Sequence, residues 1–487
     1  MELPDDELPK DKQSAEGDFQ FLTFTDFSQT THPETKRRIR SHAMHRVQRS
    51  LRAKRQEKNV KFILDVSPLM DIGSSSQSSA QQRQDYGMAL SHFHATPHPS
   101  DLGSGRVDPF KQYPIDMDLR MHELFDHLHG GICPVFRTMS KIGFFNIVAD
   151  EAGFRQILCS SSAHMTQLRN GTDSPEAIVL STQAIRSLNR RLAAPVSSLD
   201  DGIIAAILTF ACHAVMFNDL PGLITHLNGL VQILQQKGGI QILNPSPVLR
   251  IMLFWVDVNA AFLQDLVPRF LSPLDILPPL YTNRLTSNVM DESSSSNLAA
   301  ELVPIFEQIS LLNEFILREL GTRDLWDDGV FCGLQIVPIL HQLLSVRFDI
   351  EAPNPAIVRQ EFLRICAIIY LAKLRQKFGV NLALDIYIAK LKRAVIDLYE
   401  LVLGGADHLL LWGLIISGLQ SFGYRDHAWF VSMAAVAILH AECESWNEVV
   451  NKIGQMMWVQ QAFDLECDRF RQELSDELWV SYEIVFL

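Results

Sequence analysis

The residues whose types and spacing could do chemistry are concentrated in one basic segment, residues 36–61, which reads KRRIRSHAMHRVQRSLRAKRQEKNVK. It holds eleven Lys and Arg against Glu57 alone, a net charge of +10, whereas the whole chain carries −13 and the remainder therefore −23. Positive charge that is segregated in this way opposes compaction and is typical of a surface that contacts phosphate polymers or import receptors. A solvated tail without a partner is the alternative.

The candidate nucleic-acid or import-receptor binding residues of the basic segment are Lys36, Arg37, Arg38, Arg40, Arg46, Arg49, Arg52, Lys54 and Arg55. They fall into two clusters, KRRIR at 36–40 and RAKR at 52–55, a spacing that bipartite nuclear import signals also show. DNA contact and nuclear import are therefore both open functions for this segment.

The basic segment is expected to lie on a helix. Thr31 and Glu34 stand in capping-box spacing, which predicts a basic helical arm over residues 31–62. The apolar residues that line up along one face of it are only Ala43, Val47 and Leu51. Because so narrow a stripe cannot be held by a core, we expect the arm to be ordered by contact with a partner.

No arrangement typical of an enzyme is found in the sequence, since the G-x-S-x-G, P-loop, G-x-G-x-x-G and H-E-x-x-H motifs are all absent. His122 and His127 come nearest to a metal pair, but residues five apart lie about 140° apart around a helix and cannot share one ion. His213 is predicted to be a core histidine with a hydrogen-bonded partner. Asp257 is predicted to form a salt bridge to a neighbouring helix, with a buried functional carboxylate as the alternative. We expect no catalytic residue, no metal and no cofactor.

The cysteines and the apolar runs indicate the cellular compartment in which the protein is expected. The seven cysteines are scattered without a C-x-x-C pair, mostly inside apolar helical runs, and are read as buried residues of a reducing compartment. The N-terminus, MELPDDELPKDKQ, is acidic and lacks the apolar core of a signal peptide. The longest apolar stretches are shorter than about 18 residues, so no membrane span is expected. These features predict a soluble intracellular protein.

Composition divides the chain into four parts. Residues 1–30 form an acidic tail with an aromatic patch, FQFLTF, and the basic arm follows. Residues 63–112 are rich in Ser, Gln, Pro and His, which is typical of a flexible linker. Residues 113–487 show nearly continuous helical periodicity and enough apolar residues to bury a large core. We predict an all-α, two-lobed helical array there, with a Pro- and Ser-rich break near 268–297.

Signals of helix starts and ends support this prediction. Ser174-Pro175 and Ser246-Pro247 pair an N-cap residue with proline in the first turn. Gly238-Gly239 follows an apolar stripe that begins at Leu220 and is typical of a helix C-terminus. In the second half, helices are predicted over 301–320, 333–347, 356–377, 383–403, 408–421 and 426–441.

Several stretches resemble the helical regulatory domain of fungal zinc-cluster transcription factors. HLNGLVQILQQKGGI (226–240) is similar to the family's His-x-x-Gly-Leu…Gly-Gly segment, and RIMLFWVDVNAAFLQDLVPRF to the helix that follows it, with Asp257 and Ala261 at the usual places. LLLWGLIISGLQSFGYRDHAWFVSMAA resembles the family's C-terminal LLLW…RxWF segment. The aromatic start and the RRxIRSHxM-like basic stretch at 19–55 resemble members that carry no zinc cluster.

The resemblance implies a nuclear transcription regulator, or one that shuttles between nucleus and cytoplasm. The family's zinc cluster needs six cysteines within about 30 residues, and this chain has no cysteine before Cys133. Any DNA contact is therefore expected from the basic arm. Expected partners are DNA through its phosphates, an import receptor, other regulatory proteins and, as a possibility, a second copy of the chain, but no membrane. The alternatives are a helical protein–protein adaptor with the basic block used only for import, and a small-molecule-binding or catalytic helical protein with an interlobe pocket.

Overall fold

The computed structural model of the protein describes residues 113–485 apart from 172–173, 194–199, 280–297, 349–353, 404–406, 444 and 455–456. Every regular element among these residues is helical. The all-α prediction is therefore confirmed, and the residues described are called the helical body below. The basic arm, the acidic tail and the predicted linker lie outside them.

The helices of the first half are α1 (Leu119–His129), α2 (Pro134–Lys141), α3 (Phe144–Ile147), α4 (Glu151–Leu168), α5 (Pro175–Leu192), α6 (Asp201–Met216), α7 (Leu220–Gln236) and α8 (Pro247–Gln264). A 3-10 turn, Ile240–Leu243, joins α7 to α8. α5 packs along α4, and α6 packs against α4, α7 and α8. α6 is therefore the central helix of this half.

The helices of the second half are α9 (Val303–Leu320), α10 (Gly329–Ser345), α11 (Pro355–Lys377), α12 (Asp385–Asp397), α13 (Tyr399–Leu403), α14 (His408–Gln420), α15 (His427–His440), α16 (Trp446–Gly454) and α17 (Gln460–Val485). Within α10, Cys332–Ile336 form a π-helical turn. α11 packs against α10, α12, α14 and α17, so this long helix is enclosed by its neighbours.

The predicted helix boundaries at Ser174, Ser246 and Gly238-Gly239 are confirmed, although the Ser246 side chain makes no capping hydrogen bond. The Ser174 side chain accepts a hydrogen bond from the backbone N–H of Ala177, and Pro175 is the first residue of α5. α7 ends at Gln236, two residues before Gly238, and the φ angles of Gly238 and Gly239 are 102° and 108°. Such positive φ angles favour glycine, which is why the sequence marked this end.

Two large apolar clusters make the core, and α8 contributes to both. Leu249, Met252 and Val256 pack with α6 and α7. Val258 and Phe262, further along the same helix, pack with the helices of the second half. A smaller cluster lies under α1, α2 and α4. The two predicted halves therefore meet along α8.

α8 is the one helix of the described residues that is long and apolar enough to cross a membrane by length and composition. Of that stretch, 61% is buried inside the helical body. A core helix that packs on both sides has the same apolar composition, so packing within the protein accounts for it.

The predicted break begins directly after α8. Asp265 ends the helix in the left-handed conformation, with φ of 47°. Residues 266–279 then run without a regular helix, and residues 280–297 lie outside the described part of the chain. Residues 266–279 are called the Pro-rich segment below.

Candidate functional site

None of the nine candidate binding residues of the basic arm, Lys36 to Arg55, lies in the described part of the chain. The contact of the arm with DNA or an import receptor therefore stays a prediction. The candidate site that the structure does describe is the junction after α8, where the first and second halves meet. It is built around two aspartates eight residues apart, Asp257 and Asp265.

Asp257 holds the Pro-rich segment. Its side chain is buried on α8, and its Oδ2 accepts a hydrogen bond from the backbone N–H of Phe270 at 2.9 Å. Arg269 Nη1 lies 3.8 Å from Oδ1, and this oxygen has no hydrogen-bond partner among the described residues. Burial raises the pKa of Asp257 to about 6, against the smaller opposing effects of Phe270 and Arg269. The predicted salt bridge to a neighbouring helix is thus wrong, because the ion-pair partner comes from the segment that follows α8.

A second hydrogen bond holds the same residue of the Pro-rich segment from the other side. His341 Nε2, on α10, lies 2.9 Å from the Phe270 carbonyl oxygen. Arg269 donates to Asn228 Oδ1 at 3.1 Å, and Arg250 pairs with Asp275 through two contacts of 2.6 Å. The Pro-rich segment is therefore fixed to α7, α8 and α10 by polar contacts.

The fixed segment presents apolar side chains to solvent. Leu271 is 88% exposed and Leu274 is 76% exposed, and Leu266 and Val267 are also exposed. Scattered exposed leucines are ordinary on protein surfaces, but four large apolar side chains within nine residues form a patch of the kind that protein contacts use.

Asp265 is the centre of a buried ionic network. Its carboxylate receives Arg364 Nη2 at 3.1 and 3.0 Å, Arg347 Nη1 at 2.9 Å and Lys390 Nζ. Arg364 also bonds to Glu361 at 2.6 Å. Burial alone would raise the pKa of Asp265, but the positive charges of Arg364, Lys390 and Arg347 outweigh it and hold the pKa at about 2.

This network joins the end of α8 to the second half of the chain. Arg347 follows α10, Arg364 lies on α11 and Lys390 on α12. A buried pair of this kind contributes little net stability over an apolar one, but breaking it is costly. The network therefore connects the end of α8 to α10, α11 and α12 through ion pairs.

The histidines behave largely as the sequence indicated. His213 pairs with Ser160 Oγ at 3.0 Å, which confirms the predicted hydrogen-bonded partner, but the residue is half-buried and not fully enclosed in the core. Desolvation lowers its pKa to about 4. His127 bonds to His164 at 2.8 Å and not to His122. In the described residues, no group of three or more His, Cys, Asp or Glu is placed to hold a metal ion.

The sequence reading missed Asp265, Glu361 and Arg364. A signal was present, because EFLRICAIIYLAKL places the Glu361–Arg364 pair in a run that is apolar on every face of the helix. A charged pair on a helix without a polar face must be buried, and its charges must be balanced by nearby partners.

Comparison with known proteins decides the family. Residues 62–314, slightly more than half of the chain, match the fungal specific transcription factor domain. The chain belongs to this family. No curated protein and no solved structure matches. The matched residues of this fungal transcription factor domain include α1 to α8, with both aspartates of the junction, and end inside α9.

The membership supports the resemblance stated from the sequence. It also indicates a transcription-regulator role, since the family is regulatory. The Asp265 network extends beyond the matched residues, because Arg347, Arg364 and Lys390 all follow residue 314.

Proposed function

We propose that this protein is a nuclear transcription regulator, not an enzyme, whose helical body acts as the regulatory domain and whose basic arm contacts DNA phosphates without a zinc cluster. The match to the fungal specific transcription factor domain carries the regulatory role. The net +10 of residues 36–61, in a chain of net −13, supports contact with a polyanion. Residues 1–132 hold no cysteine and so cannot form the family's six-cysteine zinc cluster, which supports the arm as the source of that contact.

The second candidate function is a protein–protein adaptor that uses the basic segment only for nuclear import. The exposed patch of Leu266, Val267, Leu271 and Leu274 favours it, because the polar contacts around Phe270 hold these side chains in solvent. The two functions differ in what the arm touches once the protein is in the nucleus.

Chromatin occupancy and localisation of four proteins separate the candidates. The first is the full chain, and the second lacks residues 36–61. The third lacks residues 74–99, a stretch of equal length and little charge, and is the matched control. The fourth lacks residues 36–61 but carries an unrelated import signal.

DNA contact by the arm predicts a fourth protein that is nuclear but has lost occupancy, while the 74–99 deletion keeps both. Import alone predicts that the added signal restores localisation and occupancy together. An arm deletion that keeps full nuclear signal and full occupancy would overturn both roles of the arm. Absence of occupancy in the intact protein would contradict the regulator proposal itself.

A further inference from the structure

α11 carries two buried arginines on one face. Arg364 and Arg375 are eleven residues apart, which is about 20° around a helix and about 17 Å along it. Arg364 is 0% exposed and Arg375 is 2% exposed. Both reach towards α8, Arg364 to Asp265 just after the helix and Arg375 to Asn259 within it. The two arginines therefore occupy similar positions, each buried between α11 and α8 or the residue that follows α8.

The two arginines differ in their partners. Arg364 is neutralised by the carboxylates of Asp265 and Glu361. Arg375 Nη2 donates to the amide oxygen of Asn259, and its other polar neighbours are the sulfur of Cys332 and the hydroxyl of Tyr387. Among the described residues no carboxylate lies within 4.0 Å of the Arg375 guanidinium. The chain therefore buries this charge beside uncharged groups.

The guanidinium is also incompletely hydrogen-bonded. Its Nε is buried and has no partner in the described residues. The Phe262 ring centre, 5.9 Å from Arg375 Cζ, and the carboxyl-terminal end of α11 offer only partial negative charge. Arginine stays protonated in proteins, so the charge cannot be removed by titration. A buried cation with an unused donor is a costly arrangement unless an anion completes it.

A second unused donor lies in the π-helical turn that contains Cys332. The π-helical turn Cys332–Ile336 of α10 supplies the sulfur beside Arg375. Gln335, in this turn, is buried, and its Nε2 has no partner among the described residues. π-helical turns are often found at functional sites. An acceptor at Nε would complete the Arg375 guanidinium, and a negatively charged one would also compensate its buried charge.

We propose that Arg375 binds a small carboxylate ligand at the junction of α8, α10 and α11. The Nε edge of a guanidinium matches the two oxygens of a carboxylate, which is the geometry of a bidentate ion pair. Because Nε is sealed from solvent, the ligand enters by local opening of the junction, and the cost of opening lowers its affinity. Binding at Arg375 is independent of whether the basic arm contacts DNA.

The sharpest variant is Asn259→Asp in the full chain, because it places a carboxylate where the amide oxygen already meets Arg375. Melting temperatures are measured in sodium malonate, sodium acetate, sodium phosphate and sodium chloride at equal ionic strength. The wild type should melt roughly 2–4 °C higher in saturating malonate than in chloride. Asn259→Asp should melt above the wild type in chloride and gain nothing further from malonate.

Arg375→Met and Arg364→Met complete the experiment. Arg375→Met should fold, lose the malonate response and melt no lower than the wild type in chloride, because an uncompensated charge is removed. Arg364→Met leaves Glu361 without its ion-pair partner and removes one of the three cations around Asp265, so it should melt far lower. Calorimetric titration of malonate into the wild type reads binding directly, even if a variant fails to fold.

Each contrary outcome overturns the proposal. A wild type that responds equally to malonate and chloride, with no heat of malonate binding, has no site. Equal malonate responses in wild type, Asn259→Asp and Arg375→Met indicate a general salt effect. A response to phosphate without one to malonate or acetate makes the ligand a phosphate and refutes the carboxylate. An Arg375→Met variant as destabilised as Arg364→Met shows that the fold already satisfies Arg375.

Discussion

The backbone N–H of Phe270 donates a hydrogen bond to the carboxylate of Asp257, thirteen residues earlier in the chain, at 2.9 Å. The carboxylate is buried, and its pKa is raised to about 6. One acceptor thus both holds an irregular segment and titrates close to neutral pH.

Asp257→Asn should change how stability depends on pH. The folded pKa lies above the ordinary value of 3.8, so the folded state binds more protons than the unfolded state between about pH 4 and 6. The Asp257 carboxyl makes its full contribution to stability below about pH 4, and this contribution is lost as the pH rises through about 6. Asparagine keeps an oxygen for Phe270 but cannot ionise. Between pH 4 and pH 7, the difference in free energy of unfolding between the variant and the wild type should change by on the order of 3 kcal/mol in favour of the variant. Urea unfolding at each pH measures it. A constant difference between the two proteins over that range would contradict the buried titration.

Asp265→Asn should have the opposite pH signature. The positive charges around Asp265 hold its folded pKa at about 2, below the ordinary 3.8. Its contribution is therefore present above about pH 4 and is lost as the pH falls towards 2. The variant should be less stable at pH 7 by at least about 2–3 kcal/mol, and the deficit should shrink below pH 4. Asp275→Asn, which removes an exposed partner of Arg250, is the control and should cost less than about 1 kcal/mol.

Gly333→Ala should destabilise the protein because the indole of Trp255 occupies the place of the new methyl group. A Cβ at Gly333 would lie 2.2 Å from Trp255 Cζ2, and the Trp255 indole N–H donates to the Gly333 carbonyl at 2.8 Å. The ring cannot move without losing that bond, so a loss of about 1–3 kcal/mol or more is expected. Gly229→Ala, on α7 with no atom within 4 Å of where its Cβ would lie, should instead gain about 0.5–1 kcal/mol. Thermal unfolding of both variants tests the contrast, and equal effects would refute it.

Leu227→Ala should lower the free energy of unfolding by roughly 2–5 kcal/mol. Leu227 is 0% exposed in the middle of α7, within the cluster that this helix forms with α6 and α8. Gln232→Ala, on the exposed face of the same helix, is the matched control and should change stability by less than about 0.5 kcal/mol. A loss below about 1 kcal/mol at Leu227 would mean that the helix detaches easily from the body.

A peptide of residues 30–62 should bind DNA weakly, with strong salt dependence and little sequence preference. Neutralising about six phosphates gives a slope near −5 in log affinity against log salt. The full chain should bind more weakly, because the residues outside the basic segment carry −23. Fluorescence anisotropy over a salt series measures both. Binding that survives about 0.5 M salt, or that strongly separates unrelated duplexes, would indicate specific base reading. No binding at low salt would leave import as the function of the arm.

The sequence predicted the helices well because their signals are local. Ser174, Pro175 and the Gly238-Gly239 pair mark ends through backbone geometry that depends on a few neighbouring residues. The helix predicted over 383–403 is interrupted at Leu398, and the one predicted over 333–347 contains a π-helical turn. Both irregularities leave the apolar periodicity nearly unchanged, so a periodic pattern does not reveal them.

The junction after α8 could not be predicted in the same way. Asp265, Arg364 and Lys390 are separated by up to 125 residues, and their pairing depends on how α8, α11 and α12 pack. Asp257 was predicted from the sequence, but with the wrong partner. A buried aspartate on a helix more often forms a salt bridge to a neighbouring helix than to the segment that follows its own helix. Arg375 carries no local signal, since an arginine near a helix C-terminus is ordinary on a surface.

The Asp265 network also limits which fragments of this protein keep their buried charges paired. The family match ends at residue 314, inside α9, whereas Arg347, Arg364 and Lys390 follow it. An expressed fragment of residues 62–314 would keep Asp265 without its counter-ions and would expose the face of α8 that carries Val258 and Phe262. Exposed apolar surface of this kind promotes non-specific association, so an interaction screen should use the whole helical body as bait.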